Sequence, residues 1–167
     1  PTVDAGQTVD GYVMFNATEI PNATLRKGGC SRLEGLTIID KDNEQVDMEI
    51  IFMQVQTNFS VDGSGDGQIA APNITDANLQ AAKVLGSFTV DWTDLHVTFS
   101  QNSGDATIFS GTQFKNIGNV SDSQPLPIFL QAADDSTSVY FTAIVADTNN
   151  ADFDAVDDLE FVFRIEY

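Results

Sequence analysis

Leu159-Glu160-Phe161-Val162-Phe163-Arg164-Ile165-Glu166-Tyr167 is the stretch whose reading decides the fold. Leu159, Phe161, Phe163, Ile165 and Tyr167 fall on one side of an extended chain, and Glu160, Val162, Arg164 and Glu166 on the other. Successive side chains of a strand point to opposite faces, so this period of two predicts a half-buried β-strand. The strand runs to the last residue with no polar tail, which predicts a C-terminus sewn into a sheet. Upstream, Ser138 to Val145 places Val139, Phe141, Ala143 and Val145 on one face, and residues 147–154 between the two stretches are rich in turn formers. Together they predict a long terminal hairpin over 138–167.

Working further back, the chain reads as β almost throughout. Strands are expected over Thr8 to Phe15, Leu33 to Asp40, Val46 to Val55, Ser87 to Asp91, Leu95 to Ser100, Ala106 to Phe114 and Ile128 to Leu130. Residues 16–32, with Pro21 and Gly28-Gly29, are turn-rich, and Pro125 and Pro127 favour an edge or a strand start at Ile128. Helical spacing occurs once, over Asp76 to Leu85, with Thr75 as N-cap and Gly86 as the stop. The fold class that follows is all-β: an antiparallel β-sandwich, jelly-roll-like, of eight or nine strands with one short helix. At 167 residues and 42% hydrophobic content the chain has material for one real core, so residues 1–167 are expected to form a single domain.

Charge narrows the partners. Twenty-five acidic residues, nineteen of them Asp, stand against seven basic ones, for a formal net charge of −18. Such a surface repels phosphate backbones and anionic lipid, so neither nucleic acid nor a membrane surface is an expected partner. The plain reading of the charge is solubility, with adaptation to a salty medium; the sharper one is cation binding. One cysteine, Cys30, rules out an internal disulfide framework and a multi-cysteine zinc site, and it is expected as an inert core or loop residue. No apolar run has the length of a membrane span, and no signal peptide is visible. The start at Pro1 fits a cytosolic product trimmed of its initiator methionine and equally a processed secreted domain.

Catalytic signals are thin. His96 is the single histidine, flanked by Leu95 and Val97 on an expected strand, with no nucleophile elbow to serve. Paired carboxylates carry no specificity among 25 acids. The expectation is a protein that is not an enzyme. Asp62-Gly63-Ser64-Gly65-Asp66-Gly67-Gln68-Ile69 has more content: Asp62, Ser64 and Asp66 supply oxygens at the first, third and fifth places, with glycine sixth. That is the opening of a calcium loop, so calcium is the expected ion if any is bound. Asn73 stands where a bidentate glutamate would close such a loop, and a solvated Gly/Asp hairpin loop is the competing reading. Asp152, Asp154, Asp157 and Asp158 form a second acidic cluster. Asn16, Asn22, Asn58, Asn73 and Asn119 each begin an Asn-x-Ser/Thr triplet, which would fit a glycosylated extracellular domain as well as the loops of an unmodified β protein.

Some strands are apolar on both faces: Ile50-Ile51-Phe52-Met53, Ile128-Phe129-Leu130, and Val162 within the terminal strand. One sandwich of this size covers few positions on two sides, so Ile51, Met53, Phe129 and Val162 are candidate interface residues.

Leu36-Thr37-Ile38-Ile39-Asp40-Lys41-Asp42-Asn43-Glu44, running into Met48-Glu49-Ile50-Ile51-Phe52, resembles a hairpin of small β-rich virion proteins of tailed phages, with Val9-Asp10-Gly11-Tyr12-Val13, Tyr140-Phe141-Thr142-Ala143-Ile144 and Phe161-Val162-Phe163 similar in character. The resemblance implies a jelly-roll capsid decoration (cement) protein with no catalytic residues. Its partner would be the major capsid protein or another virion protein, and its place the virion, assembled in the host cytoplasm. A homo-oligomer is implied too, with a trimer preferred because capsids offer threefold positions. The alternative of another class is a secreted or virion-attached carbohydrate-binding β-sandwich, with or without calcium assistance; Trp92 is the one tryptophan it could use as a platform.

Overall fold

Alternation of large apolar and polar residues produces strands here, and the strands find partners in two layers. A computed structural model describes residues 1, 3, 6–7, 10–59, 74–92, 96–101, 104–112, 127–146, 152–153, 155 and 157–167, with 6–7, 96–101, 104–112 and 152 described by their backbone. In chain order the elements are β1 (Gly6–Gln7), β2 (Thr18–Ile20), β3 (Cys30–Asp40), β4 (Met48–Met53), α1 (Asp76–Ala82), β5 (Val84–Val90), β6 (His96–Gln101), β7 (Gly104–Thr112), β8 (Ile128–Gln131), β9 (Val139–Val145), β10 (Asp152–Phe153) and β11 (Leu159–Glu166). A larger sheet of five strands runs β11-β3-β7-β6, with β8 also on β3, and a smaller sheet of four runs β2-β9-β4-β5. Every pairing in both sheets is antiparallel. The chain passes from one sheet to the other between β2 and β3, β3 and β4, β5 and β6, β8 and β9, and β9 and β11. That alternation between two packed sheets is the connectivity of a jelly roll, and the fold is the expected all-β sandwich.

β3 is the spine of the larger sheet. β11 lies along one edge of it, from Leu159 opposite Asp40 to Glu166 opposite Arg32. Its other edge is shared end to end: β8 covers Cys30 to Leu33, and β7 covers Gly35 to Asp40. Between the sheets lies a core that takes Leu33, Leu36, Ile38 and Leu130 from one layer and Met48, Ile50, Phe52 and Phe141 from the other. The expected inward set Val46, Met48, Ile50 and Phe52 is buried throughout.

The terminal hairpin expected over 138–167 does not form. β9 sits between β2 and β4 in the smaller sheet, whereas β11 joins β3 in the larger. The two strands face one another across the core, where the Phe141 ring lies 5.3 Å from that of Phe161 and 4.8 Å from that of Phe163. Alternation fixes which side of a strand is apolar; it is satisfied equally by a neighbour alongside and by a sheet opposite. The passage 36–52 is likewise a corner between sheets and not a hairpin. Asp40 builds that corner: fully buried, it accepts from the amide of Asp42 (3.1 Å) and from that of Gln45 (2.7 Å). Burial pushes the Asp40 carboxyl above its ordinary range, while the amides of Gln45, Asp42 and Asn43 pull it back down.

Residues 10–15 run beside β9 without forming a named strand. Val13 bridges Ile144, the Gly11 and Met14 amides donate to the Val145 and Ala143 carbonyls, and the Val145 amide donates to the Tyr12 carbonyl, so the first expected strand is not a regular one over its described part. The Thr75 side chain caps α1 as expected, accepting from the Asn78 amide. The helix ends earlier than Leu85, because Lys83 turns left-handed (φ 50°) and Val84 already belongs to β5. α1 and residues 54–59 lie over the outer face of the smaller sheet. There Ala82, Phe59, Ala17 and Val13 enclose Met53, with Ile51 and Tyr140 packed against them, as a second small core. Gln54 and Val55 hold this cover in place by donating backbone hydrogen bonds to the Ala82 carbonyl.

Candidate functional site

Among the described residues, no such cover lies over β8, β3 and β11 on the outer face of the larger sheet. Phe129 on β8 points outward opposite Arg32 on β3, and Arg32 in turn lies opposite Glu166 on β11. Phe129 keeps 69% of its surface exposed, a large value for a phenylalanine on a sheet. Arg32 places its Nε 3.0 Å from Glu34 Oε1, a pair whose geometry falls short of a hydrogen bond, and donates from its terminal nitrogen to Glu166 Oε2. The hydrogen bond and charge of Glu166, then the charge of Glu34, raise the pKa of the guanidinium. Both ends of the Arg32–Glu166 pair are solvated, so the contact fixes side-chain direction more than it adds stability.

Beside this row, Tyr167 is 58% exposed and donates its hydroxyl to the Asn22 carbonyl at 2.7 Å. Asn22 opens a loop over 21–29 that presents Leu25, 78% exposed, together with Arg26 and Lys27. That loop is clamped from behind. The Thr24 amide donates to the Thr137 carbonyl, the Gly28 amide to Ala133 and Ser136, and Ser31 Oγ to the Ala23 carbonyl. Glycine is required at 29, since a Cβ there would come within 2.7 Å of the Arg26 carbonyl oxygen.

Three shallow depressions join along this surface. One of about 370 Å³ is lined by Cys30, Ser31, Arg32, Phe129, Glu166 and Tyr167. It shares Cys30 with a hollow of about 440 Å³ beside Leu25 and Arg26, and Arg32 and Glu166 with one of about 370 Å³ that reaches Glu34 and Arg164. Arg26, Lys27, Arg32 and Arg164 are four of the seven basic residues of this acidic chain, and all stand on or beside this face. The face thus combines two exposed aromatic rings with arginines and open hollows.

The expected interface residues divide between the two layers. Phe129 and Val162 (49% exposed) share the bare outer face of the larger sheet. Ile51 and Met53 lie on the opposite side of the molecule, under α1 and Phe59. Met53 is fully buried, so the cover that its apolar side requires is supplied by the chain itself and no second copy is needed there. Cys30 is exposed at the start of β3 and not in the core. Arg32, Leu25 and Tyr167 were not among the expected interface positions; a sequence signal for Arg32 exists only in its alternation with Ser31 and Leu33.

Asp62, Ser64 and Asp66, the expected calcium ligands, lie outside the described residues, as do Asn73 and Asn119. Among the described residues, no three of His, Cys, Asp and Glu come together in a way that could hold a metal ion. In the second acidic cluster, Asp158 accepts from the Ala155 amide at 2.6 Å and so serves a local turn, while Asp157 stands 3.6 Å from Lys41 Nζ and tethers this segment to the β3–β4 corner. Of the Asn-x-Ser/Thr sites, Asn22 is exposed at a turn, Asn16 is half-buried, and Asn58 is exposed while its Oδ1 accepts from the Ala17 amide. The His96 backbone lies in β6 opposite Phe109. Trp92 is 2% exposed, with its indole N–H donated to the Val46 carbonyl at 2.7 Å. No helix among the described residues is long and apolar enough to cross a membrane.

No protein-family model matches this chain, and neither the curated proteins nor the solved structures contain a match to it.

Proposed function

We propose that this chain is a non-enzymatic virion structural protein, a capsid decoration protein of a tailed phage that docks on the outer surface of the major capsid protein. The observation that carries the reading is the bare sheet face around Phe129, 69% exposed beside Tyr167 and Arg32, on a jelly-roll scaffold. A ring held open to water by a rigid sheet is ready to be buried by a partner without reordering the chain. The jelly roll is used by capsid and lectin domains alike, so the scaffold supports the reading only together with that face. The strongly acidic remainder sets up a long-range repulsion between copies that salt screens. Location in the virion, after assembly in the host cytoplasm, belongs to the same proposal, as does a homo-oligomer. The threefold preference that the phage resemblance implies has no counterpart among the described surfaces and is not part of this proposal.

Co-sedimentation with empty heads of the parent phage tests it. Wild type is expected to pellet saturably, and Phe129→Ser or Tyr167→Ser to weaken binding about tenfold or more, as for loss of a central aromatic anchor. A major capsid or portal gene beside the coding sequence is the matching genomic expectation. Wild type that stays in the supernatant but is retained on a glycan column would overturn the reading in favour of a carbohydrate-binding module. Exposed Tyr167 and Phe129 in one hollow favour that second reading, while burial of Trp92 removes its largest platform. Its calcium-assisted form predicts that a chelator lowers the melting temperature.

A further inference from the structure

β11 is the outermost strand of the larger sheet. It pairs with β3 along one edge over Leu159–Glu166, and no described strand pairs with its other edge. The open side leaves a trace in burial: Phe161, Phe163 and Ile165 point toward the core yet are only half-buried, and Val162 on the outer face is 49% exposed. Eight residues long, with neither proline nor glycine, the strand offers a row of backbone donors and acceptors that another strand can take up.

Its sequence is its own antiparallel complement. With Val162 opposite Val162 of a second copy, Glu160 falls opposite Arg164 and Arg164 opposite Glu160, all on the outer face. On the inner face Phe161 falls opposite Phe163, and Leu159 opposite Ile165. Neighbouring registers that keep the faces aligned are worse. Sliding one way sets Glu160 against Glu166; sliding the other breaks the Glu160–Arg164 pairs and turns Arg164 toward Asp158, which lies before the strand, is buried and is held by the Ala155 amide. Arg164 has charge to offer: it lies over Gly35, where a Cβ would meet its guanidinium at 3.2 Å, and it has no ion-pair partner among the described residues.

We propose that β11 pairs antiparallel with β11 of a second copy of this chain, about a two-fold axis through Val162. Pairing within one sheet keeps the faces of both copies on the same side. The two Phe129 surfaces then point the same way, and the pair can engage a repetitive surface with two contacts at once. The contact rests on the strand edge alone and holds whether or not the face docks on a capsid. Copies carrying −18 repel at long range, so association strengthens as salt screens that repulsion while the close Glu160–Arg164 pairs persist.

Sedimentation equilibrium of the full chain at about 0.02, 0.15 and 0.5 M salt, where the screening length falls from tens of ångströms to a few, tests the contact. A dimer is expected, tightening with salt. Glu160→Arg and Arg164→Glu each set like charges against one another twice across the axis and are expected to raise the dimer Kd about tenfold or more. The double variant Glu160→Arg/Arg164→Glu restores opposite charges and is expected to return the Kd to within about threefold of wild type, inside the scatter of independent surface changes. Val162→Lys, which sets two ammonium groups at the axis, gives an independent loss if either charge reversal disturbs folding. Wild type that remains a monomer at every salt concentration, a trimer as the first assembled species, or a double variant as weak as the single ones would overturn the proposal.

Discussion

Phe141 is the residue through which the two sheets meet, and replacing it with alanine measures that meeting directly. Its side chain is 2% exposed, and its ring stands 5.4 Å from Phe15, 5.3 Å from Phe161 and 4.8 Å from Phe163. Phe161 and Phe163 belong to the larger sheet and Phe141 to the smaller, so its two shortest ring contacts are between layers. Phe141→Ala removes the transfer energy of a fully buried ring and leaves a cavity among residues held by two sheets, a loss of about 3–5 kcal/mol. With a urea slope of about 2 kcal/mol per molar, the unfolding midpoint is expected to fall by about 2 M. Combining it with Phe163→Leu in a double-mutant cycle isolates the edge-to-face pair, with an expected coupling of about 0.5–1.5 kcal/mol. Urea melts followed by circular dichroism supply all four corners of the cycle. A loss under about 1.5 kcal/mol with unchanged slope, or a coupling of zero, would refute the packing of β9 across from β11.

Three further outcomes follow from particular residues. Asp40 has its carboxyl pKa raised by burial, so the stability it contributes is present below the ordinary aspartate value and is lost as pH rises through its folded value. The stability of wild type minus that of Asp40→Asn, from urea melts across the acid range, is therefore expected to shrink with rising pH; a difference that grows would contradict the assignment. Lys83 carries a left-handed backbone at the end of α1, and Lys83→Gly is expected to raise the melting temperature by about 2–4 °C, the shift that corresponds to roughly 1 kcal/mol in a domain of this size. An unchanged or lower value would show that the lysine conformation carries no strain. Trp92 is expected to emit at short wavelength and to resist quenching by acrylamide until the protein unfolds, and a red-shifted, freely quenched emission would remove it from the core.

Facing was written in the sequence more clearly than neighbourhood. Val46, Met48, Ile50 and Phe52 were readable as one inward row because a strand exposes its period locally. The Thr75 cap was readable because its reach is three residues. The choice of partner strand is settled by contacts across the whole chain, and for β9 and β11 local alternation was compatible with either arrangement. Met53 belongs to the same class: its apolar outward side was visible, but the layer covering it draws on Val13, Ala17 and Ala82 as well as the nearby Phe59, and the first three are well separated from it in the chain. At the candidate site, exposure of Phe129 and Val162 was foreseeable from strands apolar on both faces. The Arg32–Glu166 contact was not, since 134 residues separate its members. Tyr167 continues the inward alternation of β11 in sequence, yet it lies past the end of the strand, and its hydroxyl reaches the Asn22 carbonyl.

The small second core beneath α1 gives the molecule a front and a back. One outer sheet face is sealed by the helix and residues 54–59, whereas on the other no described residue covers Phe129, which stays 69% exposed. Flat molecules sticky on both sides would stack into columns; one sealed side limits such growth to a single layer. It also separates attachment from display. Leu79 and Gln80 on α1 are exposed on the sealed side, so a peptide or fluorophore grafted there would project away from whatever surface the Phe129 face meets. A layer of these molecules would then carry its cargo outward at a spacing set by the surface underneath.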